Sequence, residues 1–562
     1  MMAPRLLGAT LLWAALGAAP AFAQTEPKPA PAKPESKPEP ASDARDADIF
    51  GAPAAETAQP PPAKIPPEGA PPASAPAEAP TPQASDPAGT TEAPAPAARE
   101  ATGDSARDTD LLGDPTGATR FSEEAAPEDP LRIGGMFYQR ALSSARESET
   151  PDEWTFSAPT LTDVYLDARP NERVRGLVLG RMFFDSTLPS DGFAAMNGTM
   201  AAGDATSDTM GTAELSSLFA RRTRGPTAVL DQMWLRFDLA RTVFVTAGKQ
   251  HVRWGTARFW TPSDFLHVRR RNPLDVFDAR TGTTMLKLHL PWESLGWNFY
   301  AYGLMESPDA TSRLADLSGA ARAEIVLGST ELGVGALVRN DTKPKIALDL
   351  STGIWEFDLY GELAIRHGSE IDRVRYTDLT AIAPGSMEPL TTLVERFFPA
   401  VPGTGWKAQA VAGLNYARKY NDNDVWNLGA EYFYNPLGYS SPQAYPGLIL
   451  PRAAPLRDPA TFFYLGRHYG AVFLSLPAPY RWDYTTFTLS TLGNLSDRSF
   501  ISRLDYSLTL LTHLRFEAFV AVRYGKQEGE FRFGVDDLMI GGQTFNIPPS
   551  LLDLGLALRV NF

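Results

Sequence analysis

The strongest constraint on this chain is a run of 18 alternating segments between residue 131 and its end. Apolar and polar residues alternate with a period of 2 in these segments, which predicts β-strands with one apolar and one polar face. The connections after even-numbered segments are short, such as the turns at 170–172, 240–241 and 512–513. Those after odd-numbered segments are mostly long, as at 186–228 and 367–405. The sheet is therefore predicted to have turns at one end and loops at the other.

The last segment, DLGLALRVNF, keeps this alternation up to the final residue. Leu554, Leu556, Leu558 and Val560 form one row, and Phe562 ends it. A terminal strand with an unpaired edge would be a template for aggregation. We therefore expect this strand to pair with the first one and close the sheet into a barrel.

The N-terminus has the features of a secretory signal peptide over residues 1–23. Arg5 precedes an apolar stretch from Leu6 to Ala18, and Ala21 and Ala23 form a small-residue cleavage site. After it there is no apolar run of about 18 residues. If the mature chain is integral to a membrane, it must then be a barrel, because only helices and closed barrels satisfy their backbone hydrogen bonds in lipid. The chain has no cysteine, which excludes disulfides and thiolate metal sites.

Residues 24–129 are predicted to be a disordered periplasmic segment. They are rich in Pro, Ala and Glu, and residues 25–129 hold 20 acidic against 8 basic side chains. Such a segment buries too little apolar area to offset its ordering entropy. It is either a passive spacer or a tether for a periplasmic partner. The remainder, 130–562, is nearly balanced in charge, so no nucleic-acid partner is expected.

This pattern of strands and loops resembles outer-membrane β-barrels of Gram-negative bacteria, in particular porin-like barrels. The resemblance implies an all-β, up-and-down antiparallel transmembrane barrel of 18 strands over residues 130–562, surrounded by outer-membrane lipid. With an even strand number, both chain ends would lie in the periplasm. Eighteen strands is also the size of polysaccharide-export barrels, either of the alginate-export type or of the type that partners short polysaccharide-export proteins.

The alternation also assigns the lumen, and its inward rows hold more Arg and Lys than Asp and Glu. Rings of basic side chains favour anions. Each inward charge has an alternative, structural interpretation, in which it pairs with an acid on a neighbouring strand. The candidate pore-contact residues are Arg181, Lys249, Arg253, Trp254, Arg258, Trp260, Arg269, Arg270, Arg271 and Lys287.

Most of these candidates lie in residues 247–282, after the fifth strand, where many porins have a loop that folds inward and narrows the pore. Arginine forks bind carboxylates, and aromatic faces stack on sugar rings, so this composition suits a charged or sugar-like solute. The alternative is a structural turn, in which the arginines pair with Asp264, Asp275 and Asp278.

Three functions follow from these observations. The first is an export channel for a secreted, anionic polysaccharide, working with a periplasmic polysaccharide-export protein. The second is a passive diffusion porin that prefers small anions, and the third is a structural outer-membrane anchor for a periplasmic partner. The six histidines form no HExxH-type pattern, and no nucleophile, phosphate-binding or dinucleotide motif is present. The chain is therefore predicted not to be an enzyme and to use no metal or cofactor.

Overall fold

The structure is a computed structural model that describes residues 130–562 apart from 188–225, 268, 276–277, 279, 306–316, 341, 378–388, 422–423, 451, 481, 483 and 541–542. The predicted signal peptide and the predicted disordered segment 24–129 lie outside the described residues. No helix in the described ranges is both long enough and apolar enough to cross a membrane.

Eighteen antiparallel strands form one closed sheet, as the sequence predicted. Each strand pairs with the next along the chain, and the last pairs with the first. The strands are β1 Leu131–Arg146, β2 Pro159–Asn171, β3 Val174–Asp185, β4 Thr227–Leu239, β5 Val243–Gln250, β6 Thr283–Trp292, β7 Trp297–Leu304, β8 Ser318–Leu327, β9 Thr330–Arg339, β10 Lys345–Ile354, β11 Phe357–His367, β12 Trp406–Lys419, β13 Val425–Tyr434, β14 His468–Pro477, β15 Thr485–Asn494, β16 Ser499–Leu511, β17 Leu514–Gly525 and β18 Ser550–Asn561.

The barrel closes where β18 meets β1. Leu556 lies opposite Ala141 in this pair. The final residue extends the closure, because its N–H donates to the carbonyl oxygen of Gly135 (3.0 Å) and its carbonyl accepts from the N–H of Gly135 (2.7 Å). The expected closure by the last strand is confirmed, and it leaves this sheet without an unpaired edge.

The two faces of the wall differ as the alternation predicted. Leu556 and Leu558 of β18 point outward and remain exposed, whereas Asp553 is buried on the lumen side. The inward charges pair across strands, for example Arg322 with Asp349 (2.7 Å). A sheet with an exposed apolar outer face and buried charges inside is suited to lipid surroundings, because a charge on the lipid face at mid-depth costs about 2–4 kcal/mol.

The long connections carry the remaining secondary structure, and we call their side of the barrel the long-loop end. Here lie the strand Thr155–Ser157, which pairs with β1, the hairpin of Asp372–Val374 with Ala400–Pro402, and the hairpin of Val535–Ile540 with Gln543–Ile547. Helices α1 Leu390–Phe397 and α2 Pro446–Ile449 pack in the same region. The opposite side is the short-turn end.

Candidate functional site: an inward loop and a cationic chamber

The connection between β5 and β6, residues 251–282, folds into the barrel, and we call it the inner loop. Trp260 is fully buried and stacks with Phe433 of β13 at 5.7 Å between ring centroids. Tyr469 of β14 lies 5.3 Å from the same indole ring. The neighbouring Phe259 packs edge-on against Phe473 at 6.0 Å. These contacts attach the loop to the barrel wall from the inside.

A second aromatic contact attaches the start of the loop to a different part of the wall. Trp254 is buried and lies 5.8 Å from the ring of Tyr302 on β7. Gly335 on β9 makes room for this indole, because a Cβ atom there would lie 2.9 Å from it. The guanidinium of Arg322 on β8 lies 5.7 Å from the Trp254 ring, which is a cation–π distance.

Glu431 of β13 is the main polar attachment of the loop. Its carboxylate accepts the backbone N–H groups of Arg258 (2.9 Å), Phe259 (3.2 Å) and Trp260 (2.9 Å), and the hydroxyl of Tyr360 (3.0 Å). Three successive buried N–H groups thus find their acceptor in one side chain. This matters because an irregular segment inside a barrel has no strand partner for its backbone donors.

Glu362 of β11 plays a similar part. It accepts from the backbone N–H of Ala257 (2.7 Å) and from both the N–H (3.3 Å) and the hydroxyl (2.6 Å) of Ser263. Gly255 allows the close approach, since it has φ +97° and a Cβ atom there would lie 2.4 Å from a Glu362 oxygen. Two wall carboxylates therefore hold residues 257–263 in place.

The second half of the loop is held by side-chain ion pairs instead. Arg280 donates to Asp264 (3.0 Å) and to Asp278 (2.7 Å). His267 also bonds Asp264 (3.0 Å). Burial acts to raise the pKa of Asp264, but His267 and Arg280 outweigh it and lower that pKa to about 2. Asp264 is thus an anion at neutral pH, as the alternative, structural interpretation required for this residue.

A cavity of about 550 Å³ lies beside this second half, toward the long-loop end. Its described lining contains eight Arg and Lys side chains against three acidic ones, and we call it the cationic chamber. The basic residues are Arg269, Arg270, Arg271, Arg280, Arg339, Lys345, Arg366 and Arg457, and the acidic ones are Asp264, Glu370 and Asp458.

The three acids are shared among several of these cations. Asp458 pairs with Arg366 (2.7 Å) and Arg270 (3.6 Å), and Glu370 pairs with Lys345 (2.7 Å). Two of the cations also pair with acids outside the lining, Arg280 with Asp278 (2.7 Å) and Arg457 with Asp372 (2.9 Å). With these two acids included, eight basic side chains face five acidic ones among the described residues, so an excess of positive charge remains. The arrangement can attract and orient an anion.

The structure separates the ten candidate residues into groups. Arg269, Arg270 and Arg271 line the cationic chamber. Arg181 is buried in the wall, where it bonds Asp163 (2.8 Å) and Asp231 (3.1 Å).

Lys287 is also buried in the wall, with its ammonium 5.5 Å from the ring centroid of Tyr300. Trp254 and Trp260 are buried against the wall, so their ring faces are occupied by protein. Arg253 donates to the carbonyl of Ala257, and Arg258 lies 3.6 Å over the Phe473 ring, so both contribute to the attachment of the loop.

Lys249 differs from the inward orientation that the alternation predicted. It pairs with Met233, which is 51% exposed on the outer face. The prediction placed Lys249 and Arg253 on the same inward face of one strand, but β5 ends at Gln250. The alternation therefore does not extend to Arg253, and Lys249 lies on the same side of the sheet as Met233.

Several chamber residues were not among the candidates. Arg339, Lys345 and Arg366 sit on strands, and the alternation does place them inward. Arg457 and Asp458, in contrast, come from the connection between β13 and β14. That segment has no regular period, so nothing in the sequence indicates which of its side chains face the chamber.

The closed wall, the apolar outer face and the charged interior define a membrane-spanning β-barrel. No family model matches the chain, and no curated protein is similar to it in sequence. Among solved structures, OccAB1 of Acinetobacter baumannii is similar at 10% identity and a TM-score of 0.44, over 78% of this chain and 98% of that one. The outer membrane protein OpdK of Pseudomonas aeruginosa is similar at 10% identity and a TM-score of 0.41, over 78% and 100%. Such values carry no conclusion about solute.

Proposed function

We propose that this protein is an outer-membrane channel through which small anions diffuse, with the cationic chamber as the region that selects them. The observation that carries the proposal is the chamber lining, with eight basic and three acidic side chains. This is the predicted diffusion porin that prefers anions. The predicted orientation, with both chain ends periplasmic and the long loops outside, belongs to the same proposal.

The size of the chamber supports selection by charge. A volume of 550 Å³ corresponds to an edge of roughly 8 Å, which is about the Debye length at physiological ionic strength. Salt therefore screens the field of the lining only partly inside the chamber. Low-dielectric walls reduce the screening further, so an anion is favoured over a cation throughout this space.

Polysaccharide export is less well supported. The inner loop occupies part of the lumen and is attached to the wall on two sides, through Trp254 and Trp260. The space that we assign to the solute is a small chamber, which suits a small ion more than a polymer. The periplasmic export partner and the structural-anchor role remain predictions.

The proposal is tested by ion selectivity in planar lipid bilayers. With a KCl gradient across the bilayer, the reversal potential of the purified full-length protein should indicate preference for chloride. Replacing Arg269, Arg270 and Arg271 together with Glu should move the reversal potential toward cation preference, because the net charge of the lining becomes more negative by six units. The control replaces Arg132, Arg241 and Arg418 with Glu, three exposed arginines at the short-turn end. An unselective or cation-selective wild type would refute the proposal.

A further inference from the structure

A second cavity, of about 340 Å³, lies at the long-loop end outside the cationic chamber. It is bounded by the hairpin of Asp372–Val374 with Ala400–Pro402, by the first residues of β12 and by the connection after β13. We call it the rim pocket. Its polar side chains are Arg373, Arg375, Thr404 and Lys407.

Among the residues that the structure describes, the lining of the rim pocket contains three cations and no acid. Strand alternation explains part of this separation of charge, since Asp372 and Arg373 are neighbours in the strand Asp372–Val374 and lie on opposite faces of the hairpin. Asp372 is bound there by Arg457 (2.9 Å). Among the described residues, no carboxylate forms an ion pair with Arg373, Arg375 or Lys407.

A fourth cation lies next to the pocket. Arg373 donates to the carbonyl oxygen of Gly438 (3.0 Å), and Arg467 donates to the same oxygen (3.3 Å). Two guanidinium groups thus converge on one neutral acceptor. The Nε of Arg373 is buried and has no acceptor in the described part of the chain. Like charges at such short range repel, and a buried donor without an acceptor costs free energy. An anion in the pocket relieves the repulsion between the two guanidinium groups.

We infer that the rim pocket is a binding site for a phosphate monoester. Such a group carries up to two negative charges and three terminal oxygens, which suits several cations better than the single charge of a carboxylate. Guanidinium forks match the geometry of phosphate oxygens. The inference does not depend on the proposed function, because the rim pocket and the cationic chamber share no lining residue among those that the structure describes.

The height of the pocket points to a lipid as the source of the phosphate. Trp406, the first residue of β12, is 54% exposed on the outer face of the barrel and marks the height of its neighbour Lys407, which points to the other side of the wall with its partner Arg366. Exposed aromatic residues at strand ends form the girdle that marks the headgroup level of the bilayer. A phosphorylated glycolipid of the surrounding leaflet would present its phosphate at this level, and a soluble sugar phosphate would reach the pocket from the solvent.

Native mass spectrometry of the detergent-solubilised full-length protein distinguishes these sources. The probes are diphosphoryl lipid A, the same lipid after removal of its phosphates, and glucose 1-phosphate. We expect the phosphorylated lipid to bind, with affinity falling about tenfold or more in the double variant Arg373→Gln and Arg375→Gln. The control double variant, Arg396→Gln and Lys526→Gln, removes two exposed cations at the same end and should bind like the wild type.

Lys407→Gln provides a second variant that leaves the contact between Arg373 and Gly438 in place. It should weaken binding while heat-modifiable gel migration shows an intact barrel. Equal binding of the phosphorylated and dephosphorylated lipids would overturn the inference, as would binding that all variants retain. Binding of glucose 1-phosphate in place of the lipid would support the phosphate site and assign it to a soluble ligand. Binding of neither phosphate probe would refute the site.

Discussion

Residues 251–263 and 264–282 of the inner loop both contain arginines, but their contacts differ. In the first part, two wall carboxylates accept backbone N–H groups and two tryptophans are buried. In the second, ion pairs between side chains hold the loop, and three consecutive arginines line a cavity. We call them the anchoring half and the cationic half. The comparison shows that similar residue types fix the loop where they meet the wall and act on a solute where they meet the chamber.

Glu431→Leu should have the largest effect, because it removes the main polar attachment of the anchoring half. The change leaves the N–H groups of Arg258, Phe259 and Trp260 buried without their acceptor, at about 1–3 kcal/mol each. The anchoring half should leave the wall, and single-channel conductance in planar bilayers should rise and become noisier. Glu431→Gln, which keeps one acceptor oxygen, is the matched control and should change conductance less. An unchanged conductance in Glu431→Leu would show that the aromatic contacts and Glu362 hold the loop without Glu431.

Trp260→Ala should have the next largest effect. It should lower the free energy of unfolding by about 3–5 kcal/mol, the usual cost of truncating a fully buried aromatic side chain. The indole also donates to the carbonyl of Phe463 (3.0 Å), and this bond is lost as well. Urea unfolding in detergent, followed by tryptophan fluorescence, measures the loss. Trp355→Ala is the control, because Trp355 is 96% exposed and its removal should change the unfolding midpoint little. Equal effects of the two changes would contradict the assigned burial.

Raising the pH should loosen the segment around Glu530 and Phe531, which packs against the anchoring half of the inner loop. Glu530, in the connection before β18, is buried and bonds Tyr469 (2.6 Å) and Asn494 (2.9 Å). Its neighbour Phe531 packs on Phe463, with 5.5 Å between the ring centroids. The carbonyl oxygen of Phe463 accepts the indole N–H of Trp260 in the anchoring half. Burial and the nearby Asp497 raise the pKa of Glu530 to about 8.

The folded state therefore binds this proton more tightly than the unfolded state does. The stability that it contributes is present in full at acidic pH, below the ordinary range of a carboxyl, and is lost as pH rises through about 8. The hydrogen-exchange protection factors of residues 526–534, which are corrected for the intrinsic base catalysis of exchange, should fall across this window. Glu530→Gln should remove the pH dependence, and a variant that keeps it would assign the effect to another group.

Single substitutions in the cationic half should have the smallest effect. Arg270 is partly exposed, and its partner Asp458 also pairs with Arg366. Such a contact contributes about 0–1 kcal/mol, so Arg270→Ala should shift the reversal potential only slightly and leave conductance unchanged. A complete loss of selectivity from this one change would mean that Arg270 alone, and not the lining as a whole, selects the ion.

Strand positions and faces could be predicted from the sequence because lipid on one side and a polar lumen on the other impose a strict period of 2. The outward row of Leu556 and Leu558 and the inward Asp553 follow from this alone. The prediction was wrong for Lys249, because its face was assigned in phase with Arg253, and Arg253 lies beyond the end of β5 at Gln250. The clustering of arginines also indicated the inner loop.

The division of the loop into two halves could not be predicted. Glu362 and Glu431 are acids on inward rows like many others, and only the fold shows that they meet backbone N–H groups of the loop. A tryptophan side chain suits stacking on a solute as well as packing in a core. Only the contacts of Trp254 with Tyr302 and of Trp260 with Phe433 show that both pack against the wall. Arg457 belongs to a connection without periodicity, so its position depends wholly on tertiary structure.

The most direct test of the central claim compares Glu431→Leu with the triple Arg269, Arg270 and Arg271→Glu variant in the same bilayer experiment, with conductance and reversal potential recorded for each. If the anchoring half sets the size of the pathway and the cationic half sets its charge preference, Glu431→Leu should change conductance much more than the triple variant does. The triple variant should move the reversal potential toward cation preference at nearly wild-type conductance. A triple variant that keeps wild-type anion preference, or a Glu431→Leu channel with wild-type conductance, would contradict the account.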